Sequence, residues 1–348
     1  MAWIIKRGAQ AATLVGLVLL QGGCVTGVLS RNGGFDQRAL TVQTVALFDQ
    51  RQPSRLAKKA WKGDWIFRRD RLELIDLELR NTKPDLLVLQ QMMARSGSTA
   101  ESDRRILSAG SLADYEWRTQ EVERYSDTQE HKSMAIALDV PFRFTAAAPE
   151  HRNIWQLGTS GYMLAATFAY EGQKVAAFNV DMPKDEGIGR YEWYDFIKER
   201  VREWIRQEHV CSKRIIIAGY MPGDAGTLSL SALVRDLGLK DTSSGFCQID
   251  SKCYTATPTN DIFLATVGDE SPARTDRIYV SQGAVVYASA RNFAEVSPKN
   301  RYVSEFGLSH LWPTQRFGWV SQLRLPRCTQ AELAAFDAPP SLAPAAAE

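Results

Sequence analysis

The sequence predicts an α/β sandwich, in which two β-sheets pack against each other and helices cover their outer faces. Short apolar or alternating runs predict strands, and they outnumber the longer amphipathic segments that predict helices. The predicted helices lie between predicted strands along the chain, which is typical of layered α/β domains.

The predicted strands are eight short runs: residues 42–48, 86–89, 134–138, 163–169, 174–180, 214–219, 276–280 and 317–325. One predicted helix ends at residues 81–84, which include Pro84, and its apolar residues near helical spacing are Ile66, Leu72, Leu74, Ile75, Leu77 and Leu79. The second predicted helix covers residues 191–207, with Phe196, Ile197 and Val201 on one face.

The first residues are typical of a secretory signal peptide, predicted here over residues 1–23. A short basic start, Lys6 and Arg7, precedes an apolar run over residues 11–20. That run is too short to cross a bilayer, which takes about 20 apolar residues.

Cys24 follows two glycines and resembles the cysteine of bacterial lipoprotein signals, although Gln21 departs from the usual leucine. The resemblance implies that Cys24 carries a diacylglyceryl group and an amide-linked chain such as palmitate, and two or more acyl chains give stable anchoring. An ordinary secretory signal with a chance cysteine is the alternative. Because Val25 is not aspartate, the outer membrane is favoured, facing the periplasm or the cell surface, and the inner membrane remains open.

After the signal, we expect a tether over residues 24–40 and a folded domain over residues 41–328. An Ala/Pro-rich tail over residues 329–348 is expected to be disordered.

The charge balance argues against generic nucleic-acid binding. Without Lys6 and Arg7, the 42 basic residues of the chain fall to 40 and equal the 40 acidic residues. Proteins that bind nucleic acid through its phosphates need a basic surplus or a basic face. No nucleic-acid partner is therefore expected.

Four cysteines remain in the mature domain, and an even number in an oxidising compartment suggests disulfides. Three pairings are possible. We favour Cys247–Cys253, which closes a short loop, and then Cys211–Cys328 by elimination. Four free buried thiols are the alternative.

Seven segments at predicted strand ends form an ordered series: 45–49 (Val-Ala-Leu-Phe-Asp), 84–91 (Pro-Asp-Leu-Leu-Val-Leu-Gln-Gln), 177–182 (Ala-Phe-Asn-Val-Asp-Met), 217–220 (Ile-Ala-Gly-Tyr), 237–241 (Leu-Gly-Leu-Lys-Asp), 274–280 (Arg-Thr-Asp-Arg-Ile-Tyr-Val) and 308–313 (Leu-Ser-His-Leu-Trp-Pro). The series resembles the motifs of the endonuclease/exonuclease/phosphatase superfamily over residues 41–325. This resemblance implies a two-sheet α/β sandwich of the deoxyribonuclease-like type, with helices on the outer faces.

The resemblance also implies a metal-dependent phosphodiester hydrolase site, and the chain departs from it where the chemistry is done. Gln91 replaces the metal-binding glutamate, and a lone amide is a weak Mg²⁺ ligand. Tyr220 replaces the aspartate that activates water, and a phenol with a pKa of about 10 is a weak base at neutral pH. Asp181 replaces a histidine that stabilises phosphate oxygens, and its charge repels them. Pro222 replaces an asparagine and cannot donate a hydrogen bond.

The remaining superfamily positions are mixed. Asp49 ends the first strand where an asparagine is usual, and Asp276 is retained. In an ungapped alignment the closing catalytic pair becomes His310 and Leu311. Shifted by one residue, which a strand end tolerates, His310 takes the histidine role.

These departures predict that the protein is catalytically inactive. Together with the lipoprotein-type signal at Cys24, they predict a lipoprotein that acts as a binding or structural component at the cell envelope. Its expected partners are the membrane, through the lipid anchor, and another envelope protein; no catalytic residue, metal site or cofactor is expected. The alternative is a metal-dependent phosphodiesterase, either a nuclease or a sphingomyelinase-like phospholipase. Its rearranged site would use Mg²⁺ or Ca²⁺. A third hypothesis is a sensor that binds a phosphate-bearing or lipid ligand without cleaving it, through arginines around Tyr220.

Overall fold

The computed structural model describes residues 39–47, 68–95, 103–124, 130–145, 154–157, 161–182, 189–222, 228–247, 253–257, 272–292 and 317–334. Cys24, Asp49, His310 and Leu311 lie outside these residues, so their predicted roles stay predictions.

The first sheet has six strands in the order β11-β12-β1-β2-β4-β3. Its strands are β1 Leu40–Ala46, β2 Leu86–Arg95, β3 Glu116–Arg124, β4 Glu130–Leu138, β11 Val285–Asn292 and β12 Gly318–Arg324. β1 and β2 run parallel, and the other neighbours are antiparallel.

The second sheet also has six strands, in the order β5-β6-β7-β8-β10-β9. Its strands are β5 Ile154–Leu157, β6 Gly161–Tyr170, β7 Gln173–Asp181, β8 Ile215–Tyr220, β9 Leu239–Asp241 and β10 Asp276–Ser281. Here β7 and β8 are the parallel pair.

The helices of the described part are α1 Arg68–Thr82, α2 Asp103–Ser108, α3 Gly189–Gln207, α4 Leu228–Asp236 and α5 Gln330–Ala334. Leu72, Ile75 and Leu79 of α1 pack on outward residues of β1 and β2. Ile197 and Val201 of α3 pack on outward residues of the second sheet. None of the helices that the structure describes is long and apolar enough to cross a bilayer.

The central core lies between the sheets. It combines inward aliphatic side chains of the first sheet, such as Val42 and Val88, with inward residues of the second, such as Ala218 and Ile278. Strand alternation puts every second residue on this face. The predicted two-sheet α/β sandwich with outer helices is confirmed.

Both favoured disulfides are present. Cys247 and Cys253 are bonded with a Cα–Cα distance of 5.8 Å, and Cys211 and Cys328 with 6.5 Å. The first closes a short loop, and the second links the turn before β8 to the segment after β12.

The predicted boundary of the disordered tail at residue 329 is wrong, because α5 lies at Gln330–Ala334. Thr329 caps this helix: its hydroxyl accepts a hydrogen bond from the Glu332 amide, and the Glu332 carboxylate accepts one from the Thr329 amide. This reciprocal pattern is a capping box. Helix α5 was not predicted because the tail as a whole is rich in alanine and proline.

Candidate functional site

One end of the sandwich carries a row of polar side chains on the inner face of the second sheet. Tyr162, Asp181, Tyr220 and Asp276 stand opposite one another on β6, β7, β8 and β10. Tyr162, Tyr220 and Asp276 each lie two residues from an inward core position of their own strand, and Asp181 lies four residues from the inward Ala177, so alternation points all four between the sheets. All four are buried. We call this end the cleft end.

On the facing sheet, a β-bulge in β2 forms the other side of the cleft end. The β2–β4 register shifts between Leu89 and Met92, and Gln91 adopts a left-handed φ of 56°. A bulge leaves ladder groups without their strand partners. Gln91 is 6% exposed, and no described residue forms a hydrogen bond with its buried side-chain oxygen. β2 therefore continues through the bulge to Arg95 and does not end at Leu89 as predicted.

The side chain of Asn179 in β7 forms hydrogen bonds with the facing sheet at this bulge. Its amide nitrogen donates hydrogen bonds to the carbonyls of Leu89 at 2.8 Å and Ala135 at 2.9 Å. Its side-chain oxygen accepts a 2.7 Å hydrogen bond from Gln90, which also donates to Thr44 at 3.2 Å. The buried network satisfies the carbonyls that the bulge exposes, and so it fixes the sheets to each other.

Asp181 forms a buried ion pair with Lys132. The Lys132 ammonium lies 3.0 Å from the Asp181 carboxylate, with side chains 4% and 2% exposed. Lys132 enters from β4, where it pairs with Met93 just past the bulge. The partner of Asp181 is thus a lysine of the facing sheet, and not Arg274 or Arg277. Lys132 was missed because it precedes the predicted strand 134–138.

The two arginines instead contact Asp241, on the neighbouring edge of the second sheet. The Arg274 guanidinium bonds the Asp241 carboxylate and the Ser243 hydroxyl. Arg277 lies 3.7 Å from the same carboxylate and donates a 3.1 Å hydrogen bond to the Met221 carbonyl. Burial lowers the pKa of Arg274. Arg274 and Arg277 therefore link the start of β10 to Asp241 of β9.

Pro222 and Asp276 form hydrogen bonds that fix the chain at the cleft end. The Pro222 carbonyl accepts a 3.1 Å hydrogen bond from Tyr194 of α3. The Asp276 carboxylate accepts a 3.0 Å hydrogen bond from the Thr275 hydroxyl, and its amide donates to Thr255 at 3.0 Å. Pro222 thus contributes its carbonyl, whereas the asparagine implied by the resemblance would also contribute a side-chain amide donor.

The described residues of the cleft end do not fit a resident hard cation, which takes several oxygen ligands and usually carboxylates. The position of the metal-binding glutamate is the neutral Gln91, and the Asp181 carboxylate is paired with an ammonium. Over the described residues, one His/Cys/Asp/Glu group has ligand atoms close enough for a metal: Cys211, Cys328 and Glu332. Its two sulfurs are joined in a disulfide.

No protein-family model and no curated protein matches the chain. Solved structures do match over most of it. D. rerio TDP2 complexed with a single-strand DNA product has a TM-score of 0.55 and 15% identity, covering 83% of this chain and 100% of that one. A mannosyl-6-phosphatase from Bacteroides thetaiotaomicron has a TM-score of 0.56 and 16% identity, covering 82% and 99%.

An endonuclease/exonuclease/phosphatase family protein from Leptotrichia buccalis has a TM-score of 0.51 and 12% identity, covering 82% of this chain and 100% of its own. The chain has the endonuclease/exonuclease/phosphatase fold. At these identities the likeness concerns the fold alone, and activity must be argued from the site.

Within this fold, the structure brings together Gln91, Asp181, Tyr220 and Asp276 at the cleft end. Sequence reasoning missed two contributions there. Lys132 is buried against Asp181, and Gln90 completes the Asn179 network. Neither had a local signal, because both depend on contacts between residues at least 49 positions apart in the chain.

Proposed function

We propose that this protein is a lipid-anchored, catalytically inactive member of this fold class, and that it acts as a binding or structural component at the cell envelope. The observation that carries the proposal is the buried Lys132–Asp181 ion pair. By the resemblance, Asp181 occupies the position of a histidine that stabilises phosphate oxygens. A carboxylate already neutralised by its own lysine offers no net positive charge to a phosphate.

Two further positions support the proposal. Gln91 offers an amide oxygen where the resemblance places a metal-binding carboxylate, and Tyr220 offers a phenol where it places a general base. Groups that act as one catalytic unit fail jointly, so the loss of several does not leave a proportionate remainder of activity.

The envelope location rests on the signal-like residues 1–23 and on Cys24 as the lipid attachment site. We propose anchoring at the outer membrane, facing the periplasm or the cell surface, with the inner membrane as the alternative. Another envelope protein is the proposed partner, since a rigid scaffold without catalytic groups suits protein binding.

The contacts of the described residues do not favour the two competing hypotheses, the rearranged phosphodiesterase and the phosphate or lipid sensor. A rearranged phosphodiesterase site would use Asp49, Asp181 or Asp276 as metal ligands, and of these the Asp181 carboxylate is already paired with Lys132. A phosphate or lipid sensor would gather arginines around Tyr220, but Arg274 and Arg277 contact Asp241.

The proposal is tested by metal titration and turnover on one preparation of the mature chain. Mg²⁺, Mn²⁺, Ca²⁺ and Zn²⁺ are titrated calorimetrically, and a generic phosphodiester, plasmid DNA, sphingomyelin and mannose 6-phosphate are assayed with each metal. The Bacteroides mannosyl-6-phosphatase serves as the positive control on mannose 6-phosphate. We expect neither saturable metal binding at the cleft nor turnover. Turnover that disappears in His310→Ala would overturn the proposal.

A further inference from the structure

Both ends of the folded domain lie at the end of the sandwich opposite the cleft end, which we call the basal end. β1 begins there at Leu40, which pairs with Leu323 near the end of β12. The chain after β12 continues across the same end, where Arg214 donates a 2.6 Å hydrogen bond to the Pro326 carbonyl. The segment that connects to Cys24 therefore enters the domain at the basal end.

The C-terminal segment is fixed to the basal end by several contacts. The Gln173 side chain and the Cys328 backbone exchange two hydrogen bonds of 2.9 Å. The disulfide joins Cys328 to Cys211, and Lys213 forms an ion pair with Glu332 of α5. The basal end is thus a built surface, held by covalent, hydrogen-bonded and ionic links.

The charges of this surface are unevenly exposed. Lys174, Lys213 and Arg327 are exposed basic residues of this end and Arg324 is half-buried, whereas Arg214 is fully buried. The acidic residues Asp139, Glu171, Glu208 and Glu332 at the same end are half-buried. The Arg327 side chain is 66% exposed, whereas the Glu171 side chain beneath it is 10% exposed. Arg324 and Arg327 each place Nε 3.7 Å from the Glu171 carboxylate. Arg324 and Arg327 are therefore more exposed than the carboxylate of Glu171 that they contact.

Exposed aliphatic side chains accompany these cations. Val285, 51% exposed, pairs with Arg324 at the start of β11. Val140, 44% exposed, lies in the turn after β4, two residues before Phe142, whose ring centroid is 5.9 Å from that of Tyr170. Cations mixed with small exposed apolar groups are typical of surfaces that lie on lipid headgroups.

We propose that the basal end rests on an anionic phospholipid surface, so that the cleft end points away from the membrane. The inference rests on the proposed anchor at Cys24. Fifteen residues separate Cys24 from Leu40, and such a segment reaches at most about 50 Å. An anchor at that distance turns a weak headgroup contact into an effectively intramolecular one. The cations attract anionic headgroups, and the valines add apolar contact that a dissolved anion does not use.

The test uses the mature chain from residue 24 with Cys24→Ser, prepared in an oxidising compartment, so that binding reports the protein surface and not acyl chains. Sedimentation with vesicles compares phosphatidylglycerol/phosphatidylethanolamine mixtures with phosphatidylcholine alone. We expect the bound fraction on anionic vesicles at low salt to exceed that on neutral vesicles at least fivefold. We also expect binding to fall to the neutral level at 0.5 M salt, since screening shortens the reach of exposed charges.

The variant Lys174→Glu/Arg327→Glu reverses two exposed basal charges and is expected to abolish the anionic preference. Arg202→Glu/Arg235→Glu makes the same charge change on the outer helices α3 and α4 and serves as the matched control. Lys174→Gln/Arg327→Gln gives a milder change if the reversal impairs folding, which circular dichroism checks. Equal binding to both vesicle types, no binding to either, or equal losses in the basal and control variants would overturn the proposal.

The anchor itself is tested separately by the mass of the native, membrane-extracted protein. An unacylated Cys24 would refute the anchor on which the proposed function depends and leave the vesicle result standing. Acylated Cys24 together with no anionic preference would refute the basal contact alone.

Discussion

At the scale of single residues, the Lys132–Asp181 pair is the feature with the largest energetic consequence. Because both side chains are almost fully buried, removing one partner strands an unpaired charge in the protein interior. Lys132→Met or Asp181→Leu is therefore expected to lower the free energy of unfolding by about 3–5 kcal/mol. Urea denaturation followed by tryptophan fluorescence measures the loss.

The apolar double variant Lys132→Met/Asp181→Leu separates the pair from its packing. Replacing both charges with apolar side chains leaves neither charge stranded, so the double variant is expected to be more stable than Lys132→Met. A double variant that loses the sum of the two single costs would mean that the two residues act independently. That result would contradict the ion pair as the organising contact of the cleft end.

At the scale of elements, Gly219 controls how closely β8 approaches β7. Gly219 has a φ of 135°, and a Cβ there would collide with the Val180 carbonyl of the paired strand. Gly219→Ala is expected to destabilise the protein by about 2–4 kcal/mol, since backbone atoms cannot move aside as a flexible side chain can.

Gly172→Ala is the matched control for this substitution. Gly172 also has a positive φ, 76°, but no atom lies within 4 Å of the added Cβ. Only the conformational cost of about 1–2 kcal/mol then applies. Thermal melts of the two variants compare them directly, and equal shifts would show that the collision at Val180 does not determine the effect.

The stability of helix α5 is expected to fall at acidic pH. Hydrogen bonds from Lys213 and from the Thr329 amide lower the pKa of Glu332 from 4.5 to about 2. A depressed carboxyl pKa stabilises the folded form above the unfolded pKa, and this contribution is lost as the pH falls through the folded pKa. We expect amide exchange in residues 330–334, corrected for intrinsic rates, to accelerate between pH 4.5 and pH 2. Glu332→Gln should remove this pH dependence, and an unchanged profile in that variant would contradict the assignment.

The elements that the sequence predicted are the apolar ones, for a physical reason. β7 and β8 are buried almost throughout, so their runs are apolar and easily recognised. β3 was missed because its sequence, Glu-Trp-Arg-Thr-Gln-Glu-Val-Glu-Arg, is largely charged. As an edge strand with one neighbour, β3 tolerates such side chains, which also protect the edge from pairing with other chains.

Sequence motifs located the polar residues of the cleft end at strand termini, but they did not show which side chains contact one another there. Tyr220 and Asp181 end the parallel strands β8 and β7, and Asp276 begins the antiparallel strand β10, so the three residues lie at the same edge of the sheet. The bulge at Gln91 and the partner of Asp181 depend on which β4 residue lies opposite the bulge. Local sequence patterns do not fix that register, so the pairing with Lys132 emerged only in three dimensions.

At the scale of the whole molecule, the two disulfides constrain the unfolded chain to very different extents. Cys211–Cys328 spans 117 positions and encloses five strands, whereas Cys247–Cys253 spans 6. In the chain-entropy account the contribution grows with the logarithm of loop length, giving about 5 kcal/mol for the long loop and about 2 kcal/mol for the short one. The long disulfide is thus the main covalent support of the basal end.

Paired serine substitutions test this difference. Cys211→Ser/Cys328→Ser is expected to lower the free energy of unfolding by more than twice as much as Cys247→Ser/Cys253→Ser, measured by urea denaturation of the oxidised proteins. The long-loop variant should also lose exchange protection over residues 325–334, while the short-loop variant keeps it. Since Gln173, Arg214 and Lys213 hold that segment as well, full retention of protection without the disulfide would mean that these noncovalent contacts suffice to fix the basal end.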